Sequence, residues 1–437
     1  MASCRASSGR APASGPAARS PGLGSTAGYA APRVGSARRS ALRTYDITII
    51  GGCGHVGLPL GIALADTGSR IALYDLDQAA VDTVNAASLP HDEPGAAAVL
   101  ERVIASDRLI ATTDRSVVAV SGAVIVVVGT PIGQHLNPDV EAVPRAIAEI
   151  ADQLRDGQLL VLRSTVYPGV TAMVEKVVER LGRSIDIAFC PERIAEGKAM
   201  TELHELPQIV ASRTAAGRER ASKLFQNLTS DIVYLDPEEA ELAKLFTNTW
   251  RYIRFAIANQ FFMIANDFGL DFERIRAGLR HNYPRAADLP GAGLAAGPCL
   301  LKDTMQLAAF NNNNFTLGHA AMMVNEGLPL YMVSRLERRY DLATMTVGLL
   351  GMAFKAESDD TRSSLAYKLK HILRFKAREV LCTDPHVTSD PSLVSLDAVL
   401  ARADLLIVTA PHGAYANLRP SVPVVDVWNF LGQGARV

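Results

Sequence analysis

Hydrophobic residues follow two patterns along the chain: short continuous apolar runs, and longer stretches with helical spacing. From Tyr45 to about residue 235 the two patterns alternate. Such alternation is typical of a parallel sheet covered by helices on both faces. The predicted strands are YDITIIGG (45–52), SRIALYDLD (69–77), AVIVVVG (123–129), QLLVLRS (158–164), SIDIAFC (184–190) and PQIVAS (207–212). This part is therefore predicted to be a doubly wound α/β sheet.

The middle of the chain has a different pattern. From Pro237 to about Phe268 apolar residues recur at helical spacing without a strong helix breaker, which predicts one long helix. A second helical stretch is predicted from about Thr304 to about Tyr340, running through the asparagines at 311–314. The central region is therefore predicted to be all-helical.

Strand-like runs return after residue 340, at 344–354, 378–385, 403–411 and 422–428, with a helical stretch at 363–374. We therefore expect an α/β fold with two Rossmann-like α/β domains joined by an all-helical central domain with a long helix. The expected segments are a tail at 1–44, an N-terminal domain at 45–228, a helical domain at 229–340 and a C-terminal domain at 341–437.

Residues 1–44 differ in composition from the rest. They are rich in Ala, Ser, Gly and Pro and contain seven arginines and no acidic residue. Such a segment buries too little apolar surface to order itself; a transit peptide, a disordered tail and an over-called start remain open. Without it, 37 basic residues face 45 acidic ones, a net charge of about −8, which argues against nucleic-acid binding.

The apolar runs and the cysteines limit where in the cell the protein is expected. No apolar run approaches the roughly 18 residues that a membrane helix needs, so we expect no transmembrane segment. The five cysteines are scattered singly, without the paired spacing of a disulfide framework or a zinc site. We therefore expect a reducing compartment, the cytoplasm, and no zinc cluster.

A glycine motif, GCGHVG, follows the first strand and opens the first helix. Glycines in that place allow backbone N–H groups to approach a pyrophosphate at the helix N-terminus. Asp75 ends the second strand, where a carboxylate binds the ribose diol and repels a 2′-phosphate. This context predicts an NAD site and favours NAD over NADP. The expected contacts are Gly52, Gly54, His55, Val56, Gly57 and Asp75, with no catalytic role for Cys53 or His55.

Cys299 lies in LAAGPCLLKD, four residues before Asp303. A thiol among small residues is often a buried hydrophobe. It becomes a nucleophile where a cation or backbone N–H groups favour the thiolate, and a nearby carboxylate then serves as a base for water. Lys244 and Asn248 in ELAKLFTN share one helical face, where an ammonium and an amide together stabilise an oxyanion.

Two further segments follow predicted strands. CPERIAEGKA carries Glu192 and Glu196, and GMAFKAESDDTRSS carries Lys355, Asp360 and Arg362. Ligands gather at the carboxyl ends of strands in open α/β sheets. Taken singly, each segment is also compatible with a solvated turn or helix face.

These segments, in this order, resemble the UDP-glucose/GDP-mannose dehydrogenase family of nucleotide-sugar dehydrogenases. The resemblance runs from Tyr45 to about Asn429 and includes VGTP (128–131), STVYPGVT (164–171), PERIAEG (191–197), ELAKLFTN (241–248), PGAGLAAGPCLLKD (290–303) and FK with DTRSS (354–364). It implies a four-electron oxidation of a sugar C6 alcohol to a carboxylate. The reaction uses two NAD, passes through a thiohemiacetal and a thioester on a cysteine, and needs no metal.

The resemblance also assigns roles by position. Cys299 is implied as nucleophile, Lys244 and Asn248 as oxyanion groups, and Asp303 with Glu192 as the groups that handle protons and water, with Thr165 near the reacting centre. Contacts to the cofactor are implied for Thr130, Pro131, Thr165, Glu196 and Arg362, and contacts to the nucleotide sugar for Glu192, Lys244, Asn248, Gly297 and Lys355.

The sugar stays open at this point. KDTMQL resembles UDP-glucose enzymes, whereas NTWRYIRFAIAN resembles the UDP-N-acetylmannosamine branch, and Ala295-Ala296 stands where many members have glycines. We expect a UDP-hexose substrate, a role in polysaccharide or cell-envelope precursor synthesis and a homodimer formed through the long helix. A single-step hydroxyacid dehydrogenase leaves Cys299 and the third domain unexplained. A non-catalytic NAD-binding protein predicts lost active residues, whereas every one named above is present.

Overall fold

The structure, a computed structural model, describes residues 44–133 and 138–437. The prediction for residues 1–44 lies outside this range apart from Thr44. The strands are β1 (Tyr45–Ile50), β2 (Ile71–Tyr74), β3 (Leu109–Thr112), β4 (Ser121–Val126), β5 (Leu159–Leu162), β6 (Asp186–Phe189), β7 (Gln208–Ala211), β8 (Ile232–Leu235), β9 (Thr346–Leu350), β10 (Glu379–Thr383), β11 (Leu405–Val408) and β12 (Val424–Val425).

Within the described residues, β1 to β8 form one sheet in the order β3-β2-β1-β4-β5-β6-β7-β8, and β9 to β12 form a second in the order β10-β9-β11-β12. The predicted α/β architecture is therefore confirmed. The prediction of a uniformly parallel first sheet is wrong at one point, because β6 and β7 pair antiparallel. The connection between them contains one seven-residue helix, about 10 Å long. Strand β7 begins beside the carboxyl end of β6 and runs back along it.

The helices are α1 (Gly57–Asp66), α2 (Gln78–Asn85), α3 (Ala96–Ala105), α4 (Ala142–Glu149), α5 (Val170–Arg180), α6 (Ala199–Glu205), α7 (Ala215–Phe225), α8 (Pro237–Asp267), α9 (Phe272–Arg280), α10 (Leu300–Phe310), α11 (Thr316–Glu337), α12 (Leu365–Leu373) and α13 (Leu396–Arg402). The predicted long helix is α8. It begins where Pro237 occupies the first turn and the Glu239 carboxylate accepts from the Asp236 backbone N–H at 2.9 Å.

The single helical stretch predicted from about Thr304 to Tyr340 is wrong. The structure has two helices, α10 and α11, separated at residues 311–315. Asn312 and Asn313 adopt φ angles of 51° and 57° there, a left-handed conformation that asparagine tolerates better than most residues. Helix α10 also begins earlier, at Leu300, so that Cys299 lies at its N-terminus.

The first sheet is buried on both faces. Ile49 of β1 packs into one apolar cluster with residues of α1 and α3, whereas its neighbour Ile50 packs into another with residues of α4 and α5. Successive side chains of a strand point to opposite faces, so a strand covered on both sides is apolar at nearly every position. This explains the continuous apolar runs.

Among the described residues, no helix combines the length and the hydrophobicity needed to cross a bilayer.

Candidate active site

The glycine motif forms a tight turn between β1 and α1. A Cβ on Gly57 would lie 2.4 Å from the Gly51 carbonyl oxygen, and one on Gly52 would lie 2.7 Å from the Leu73 Cβ, so both positions require glycine for close packing. Gly54 is different, because the nearest atom to an added Cβ is 3.7 Å away. Its open side is the cradle that a pyrophosphate would fill, so the loop fits the dinucleotide expected from the sequence.

Asp75 holds this loop at the end of β2. Its carboxylate accepts from the Cys53 backbone N–H at 2.9 Å and from the Asp77 N–H at 3.2 Å. Cys53 itself is buried, and burial together with Asp75 raises the pKa of its thiol to about 12. Cys53 therefore packs in the protein interior as a neutral thiol.

Two glycine variants separate folding from cofactor binding. We expect Gly57→Ala to lower the melting temperature, because the added methyl group meets backbone. We expect Gly54→Ala to fold normally and to weaken NAD binding about tenfold or more, because its methyl group occupies the cradle. NADH fluorescence titration and thermal melting of both variants test this. A Gly54→Ala protein that binds NADH like the wild type would contradict it.

The ends of β4 and β5 meet helix α10. The Thr130 hydroxyl donates to the Thr165 carbonyl oxygen at 2.6 Å and accepts from the Lys302 ammonium at 3.2 Å. Thr165 is half-buried, and Pro131 is exposed beside residues 134–137, which lie outside the described part. Thr130 and Thr165 therefore lie together beside α10, and their roles at the cofactor stay predictions.

Cys299 and Asp303 flank the first turn of α10. Cys299 is exposed, and its carbonyl oxygen accepts from the Asp303 N–H at 2.9 Å. The Asp303 side chain is fully buried and forms an ion pair with Lys302 at 2.7 Å. Its second oxygen accepts from the Asn248 side-chain amide at 2.5 Å. An exposed thiol and a buried carboxylate therefore share one helix end.

Lys244 and Asn248 project from one face of α8, as predicted, and both are buried. The helix is anchored one turn earlier by Glu241, whose carboxylate accepts from the backbone N–H groups of Gly169 (2.6 Å) and Thr171 (2.7 Å) and from the Thr171 hydroxyl (2.6 Å). This anchor joins the ELAKLFTN and STVYPGVT segments, so α8 has a fixed position against the sheet.

Electrostatics connect the predicted catalytic groups. Burial lowers the pKa of Lys244, while Asp303, Cys299 and Glu192 favour its charged form. Loss of hydration raises the pKa of the exposed Cys299 thiol, and Asp303 adds to the rise, whereas Lys302, Lys244 and Arg362 act in the opposite direction. Lys244 thus favours the thiolate of Cys299, while desolvation and Asp303 favour the thiol.

Alkylation of Cys299 is therefore expected to depend steeply on pH. Only the thiolate reacts, so the rate constant with iodoacetamide should still be rising above about pH 8.5, the ordinary value for a free cysteine. Cys53, Cys190 and Cys382 are buried and protected, and the Cys299→Ser variant measures any background from Cys4. A rate constant that levels off near neutral pH would contradict the raised pKa.

Glu192 follows β6, and Arg163 is the first residue after β5. Both side chains are buried and lie against each other. One oxygen of Glu192 accepts from two nitrogens of the Arg163 guanidinium, and the other accepts from the backbone N–H groups of Arg193 (2.6 Å) and Ile194 (2.9 Å). The carboxylate is thus rigidly held rather than part of a solvated face.

Glu196 joins the glycine loop to the C-terminal segment. Its carboxylate accepts from the Ser358 hydroxyl at 3.1 Å and lies 3.6 Å from Arg362 and 4.0 Å from His55. Its carbonyl oxygen accepts from the Lys355 ammonium. Burial, followed by the neighbouring Asp360, raises the pKa of Glu196. The predicted cofactor and substrate residues Glu196, Lys355 and Arg362 are therefore adjacent.

The loop before Cys299 is packed from two sides. A Cβ on Gly293 would lie 2.1 Å from the Trp428 ring, and one on Gly297, where φ is 107°, would lie 2.6 Å from the Phe354 ring. The Gly297 N–H points to the Ser363 carbonyl oxygen at 3.5 Å. Gly297 therefore serves loop packing here; its predicted contact with substrate stays a prediction.

Several site residues escaped the sequence analysis. Arg163 follows a strand, where an arginine usually indicates solvent, and Trp428 and Asn259 lie far from the motifs they support. Asn259 binds both the N–H (2.9 Å) and the carbonyl oxygen (3.0 Å) of Gly293. Of these four residues, only Lys302 could have been found from the sequence, because it is adjacent to Asp303, a proposed base.

One group of metal-capable side chains occurs among the described residues: Glu357, His386 and His412, with ligand atoms within 4.8 Å of one another. Both ring nitrogens of His412 already have partners. Nδ1 accepts from the Glu357 N–H at 3.0 Å, and Nε2 lies 3.1 Å from the Asp384 carboxylate. The arrangement braces the turn around Glu357, whose φ angle is 52°.

Models of the UDP-glucose/GDP-mannose dehydrogenase family match three parts of the chain. The NAD binding domain matches residues 45–229, the central domain residues 238–327 and the UDP binding domain residues 348–433.

Individual relatives match over most of their length. A UDP-N-acetyl-D-mannosamine dehydrogenase from Salmonella typhi is 30% identical over 401 residues, 84% of this chain and 94% of the relative. The structure of a UDP-glucose dehydrogenase from Pyrobaculum islandicum superimposes with a TM-score of 0.81 at 25% identity, covering 89% of this chain and 95% of that one. The structure of a UDP-D-ManNAc dehydrogenase from Pyrococcus horikoshii superimposes with a TM-score of 0.82 at 26% identity. The match covers 89% of this chain and 96% of that one.

Proposed function

Because the chain belongs to the UDP-glucose/GDP-mannose dehydrogenase family and is an NAD-dependent nucleotide-sugar dehydrogenase, we propose that it oxidises the C6 alcohol of a UDP-hexose to a carboxylate through a thioester on Cys299. One observation carries the proposal: an exposed thiol at the start of α10 lies within the electrostatic reach of Lys244, Lys302, Asp303 and Arg362.

The proposed reaction has two oxidations. NAD, when bound at the glycine loop, accepts one hydride from C6 in each. The first converts the alcohol to an aldehyde, and the Cys299 thiolate then adds to C6, forming a C–S bond and an oxyanion that is protonated. Loss of the second hydride gives the thioester. Water attacks it, the C–S bond breaks and the thiol is released, so that one alcohol, two NAD⁺ and one water yield one carboxylate, two NADH and three protons.

The buried groups supply the electrostatics for these steps. Lys244 is a buried cation beside Cys299, where a charge stabilises the oxyanion in a low dielectric. Asn248 donates to Asp303, so its first role is to orient that carboxylate. Asp303 then accepts a proton from the attacking water.

The substrate is proposed to lie between the two α/β parts, with residues 45–228 holding NAD, 229–340 carrying Cys299 and 341–437 holding the nucleotide through Lys355. Support comes from the match of residues 348–433 to a UDP binding domain and from Lys355 lying against Glu196. The relatives named above include both UDP-N-acetylmannosamine and UDP-glucose dehydrogenases, so we propose these two nucleotide sugars as the first candidate substrates.

A substrate panel tests this assignment. The purified full chain is incubated with NAD and UDP-glucose, UDP-N-acetylmannosamine, UDP-N-acetylglucosamine or GDP-mannose, and the product is identified by mass spectrometry. We expect a uronate from one of the first two. Oxidation that stops at the aldehyde, or activity on GDP-mannose alone, would overturn the proposal.

The cellular setting is also a proposal. The four cysteines in the described residues are unpaired, which suits a reducing compartment such as the cytoplasm. A uronate carries a carboxylate that the starting sugar lacks, and we propose that the product enters polysaccharide or cell-envelope synthesis.

We further propose a homodimer formed through α8. Large apolar side chains remain exposed along this helix at intervals of three, four and seven residues, which places them on one stripe. A continuous exposed apolar stripe marks a protein interface. Its members are Phe246, Trp250, Ile257, Phe261, Ile264 and Phe268.

A charge in this stripe is expected to separate the subunits. Phe261→Glu should sediment as a monomer at micromolar concentration, because a buried unpaired carboxylate is costly. Gln226→Glu is the control, since Gln226 is exposed at the end of α7, outside the stripe, and the same charge there should leave the dimer intact. A wild-type protein that sediments as a monomer would contradict the proposal.

A further inference from the structure

Two short segments form a basic surface in the C-terminal α/β part of the chain. They are residues 338–341, which follow α11, and residues 374–378, which follow α12. The Arg378 N–H donates to the Leu342 carbonyl oxygen at 3.1 Å, and this bond fixes the second segment beside the first. A groove of about 510 Å³ is lined by the first segment and by Lys376 of the second. The two segments therefore form one continuous surface.

Three arginines of the basic surface have no acidic partner. Arg338, Arg339 and Arg374 are exposed, and none of them forms an ion pair within the part of the chain that the structure describes. Arg339 lies over the Tyr340 ring, 5.5 Å from its centroid. Asp341 offsets one of these charges, so the surface keeps an excess of two positive charges on a chain whose net charge beyond residue 44 is about −8.

The neighbouring carboxylates are already paired. Glu337 contacts the Lys376 ammonium at 2.8 Å, and Asp404 contacts the Arg378 guanidinium at 3.1 Å. Each of these carboxylates therefore balances a cation of its own and does not reduce the charge of the three arginines. The arginines remain the groups that an anionic partner would meet.

Phe375 lies in the middle of the second segment, between Arg374 and Lys376. Its side chain is 76% exposed, and its ring meets the His371 ring edge-on, with the centroids 5.3 Å apart. Peripheral proteins enter the boundary between lipid headgroups and acyl chains with apolar side chains that basic residues flank. A soluble anion would engage the arginines and leave this ring in water, whereas an anionic bilayer receives both.

The basic surface is distant from the proposed nucleotide contact. It lies at the amino ends of two paired strands, because β9 begins at Thr346 and β10 at Glu379. Lys355 follows the carboxyl end of β9. The five residues of β9 span about 16 Å, so a partner on the basic surface leaves the Lys355 end of the sheet uncovered.

We propose that the basic surface is a peripheral membrane contact for bilayers that contain anionic lipids. Phe375 inserts at the level of the headgroups, and Arg338, Arg339 and Arg374 lie against the lipid phosphates. One ring and a small excess of charge give weak and reversible binding. The inference does not depend on the chemistry proposed for Cys299.

Co-sedimentation of the full chain with vesicles tests the proposal. Residues 1–44 contain seven arginines that would themselves attract anionic lipid, so the assay uses a parent protein in which these seven are glutamine, beside the native chain. The vesicles contain phosphatidylcholine alone or with about 30% phosphatidylglycerol. We expect the parent to sediment only with the anionic vesicles and to be released at about 1 M NaCl, where charges are screened within about 3 Å.

Three variants of this parent locate the contact. Arg338→Gln with Arg374→Gln should weaken binding roughly tenfold or more, because each cation near the surface adds to the attraction. Phe375→Ser should weaken it about fivefold, because the inserted apolar area is lost. Lys176→Gln with Lys223→Gln is the matched control, since both lysines are exposed, on α5 and α7, and this variant should bind like the parent. Equal melting temperatures of all four proteins exclude misfolding.

Three results would overturn the proposal. They are a parent that sediments no better with anionic than with neutral vesicles, an arginine variant that binds like the control, and release by millimolar glycerol 3-phosphate. The first leaves an acidic protein as the occupant, and the last identifies a site for a soluble anion. A chain that forms no NADH from any nucleotide sugar would instead overturn the proposed function and leave the membrane contact standing.

Discussion

Replacing Cys299 by serine is expected to lower uronate formation by roughly 10³-fold or more. A serine hydroxyl is almost never ionised near neutral pH, so it adds poorly to the aldehyde, and the second oxidation has no thiohemiacetal to act on. The first hydride transfer does not require the thiol. Rapid mixing with substrate and NAD should therefore show at most one NADH per active site, followed by very slow turnover.

Stability provides the control for this variant. Cys299 is exposed at the position before α10, and its side chain makes no capping hydrogen bond. Serine is a preferred residue at a helix N-terminus, so the melting temperature should not fall. Lost activity with an unchanged melting temperature assigns the loss to chemistry. A serine variant that makes uronate at the wild-type rate would remove Cys299 from the mechanism.

Replacing Lys244 by methionine is expected to lower kcat by roughly 10²- to 10³-fold, the range found when one group that stabilises an oxyanion is removed. Methionine is also long and unbranched, so it fills the buried site without the charge. The Cys299 pKa should rise further, since Lys244 is one of the cations that favour the thiolate. Steady-state kinetics and the pH dependence of Cys299 alkylation measure the two effects.

A surface lysine serves as the matched control. Lys223 on α7 is exposed and pairs only with the neighbouring Glu219 among the described residues. Lys223→Met should leave both kcat and the alkylation profile unchanged. If Lys244→Met retained the wild-type kcat, the oxyanion would have to be stabilised elsewhere, and the proposed role of α8 would fail.

Local patterns predicted most of the fold. Strand β1, the glycine loop and α8 each follow from apolar spacing and from residues that begin or end an element nearby. The two errors have different sources. The break at 311–315 has a local source, because the exposed residues Asn312 and Asn313 adopt a left-handed conformation that asparagine tolerates, whereas the reversal at β7 depends on the pairing of Phe189 with Ala211, 22 positions apart.

The site divides in the same way. The spacing of Lys244 with Asn248 and of Cys299 with Asp303 is visible in the sequence because each pair lies within one helical turn. The hydrogen bond from Asn248 to Asp303 joins residues 55 positions apart, and no local pattern encodes it. Arg163 and Trp428 were missed for the same reason. Each contacts a segment that is distant in sequence, Arg163 at Glu192 and Trp428 at Gly293, and neither residue type indicates such a contact.

The central claim is that one cysteine carries a sugar through two oxidations. The most direct test is the number of NADH molecules formed per nucleotide sugar consumed by the wild-type protein, measured to completion with limiting UDP-N-acetylmannosamine and with limiting UDP-glucose. The account predicts two NADH per sugar for the substrate that is oxidised. One NADH per sugar, with an aldehyde or ketone as the final product, would contradict it.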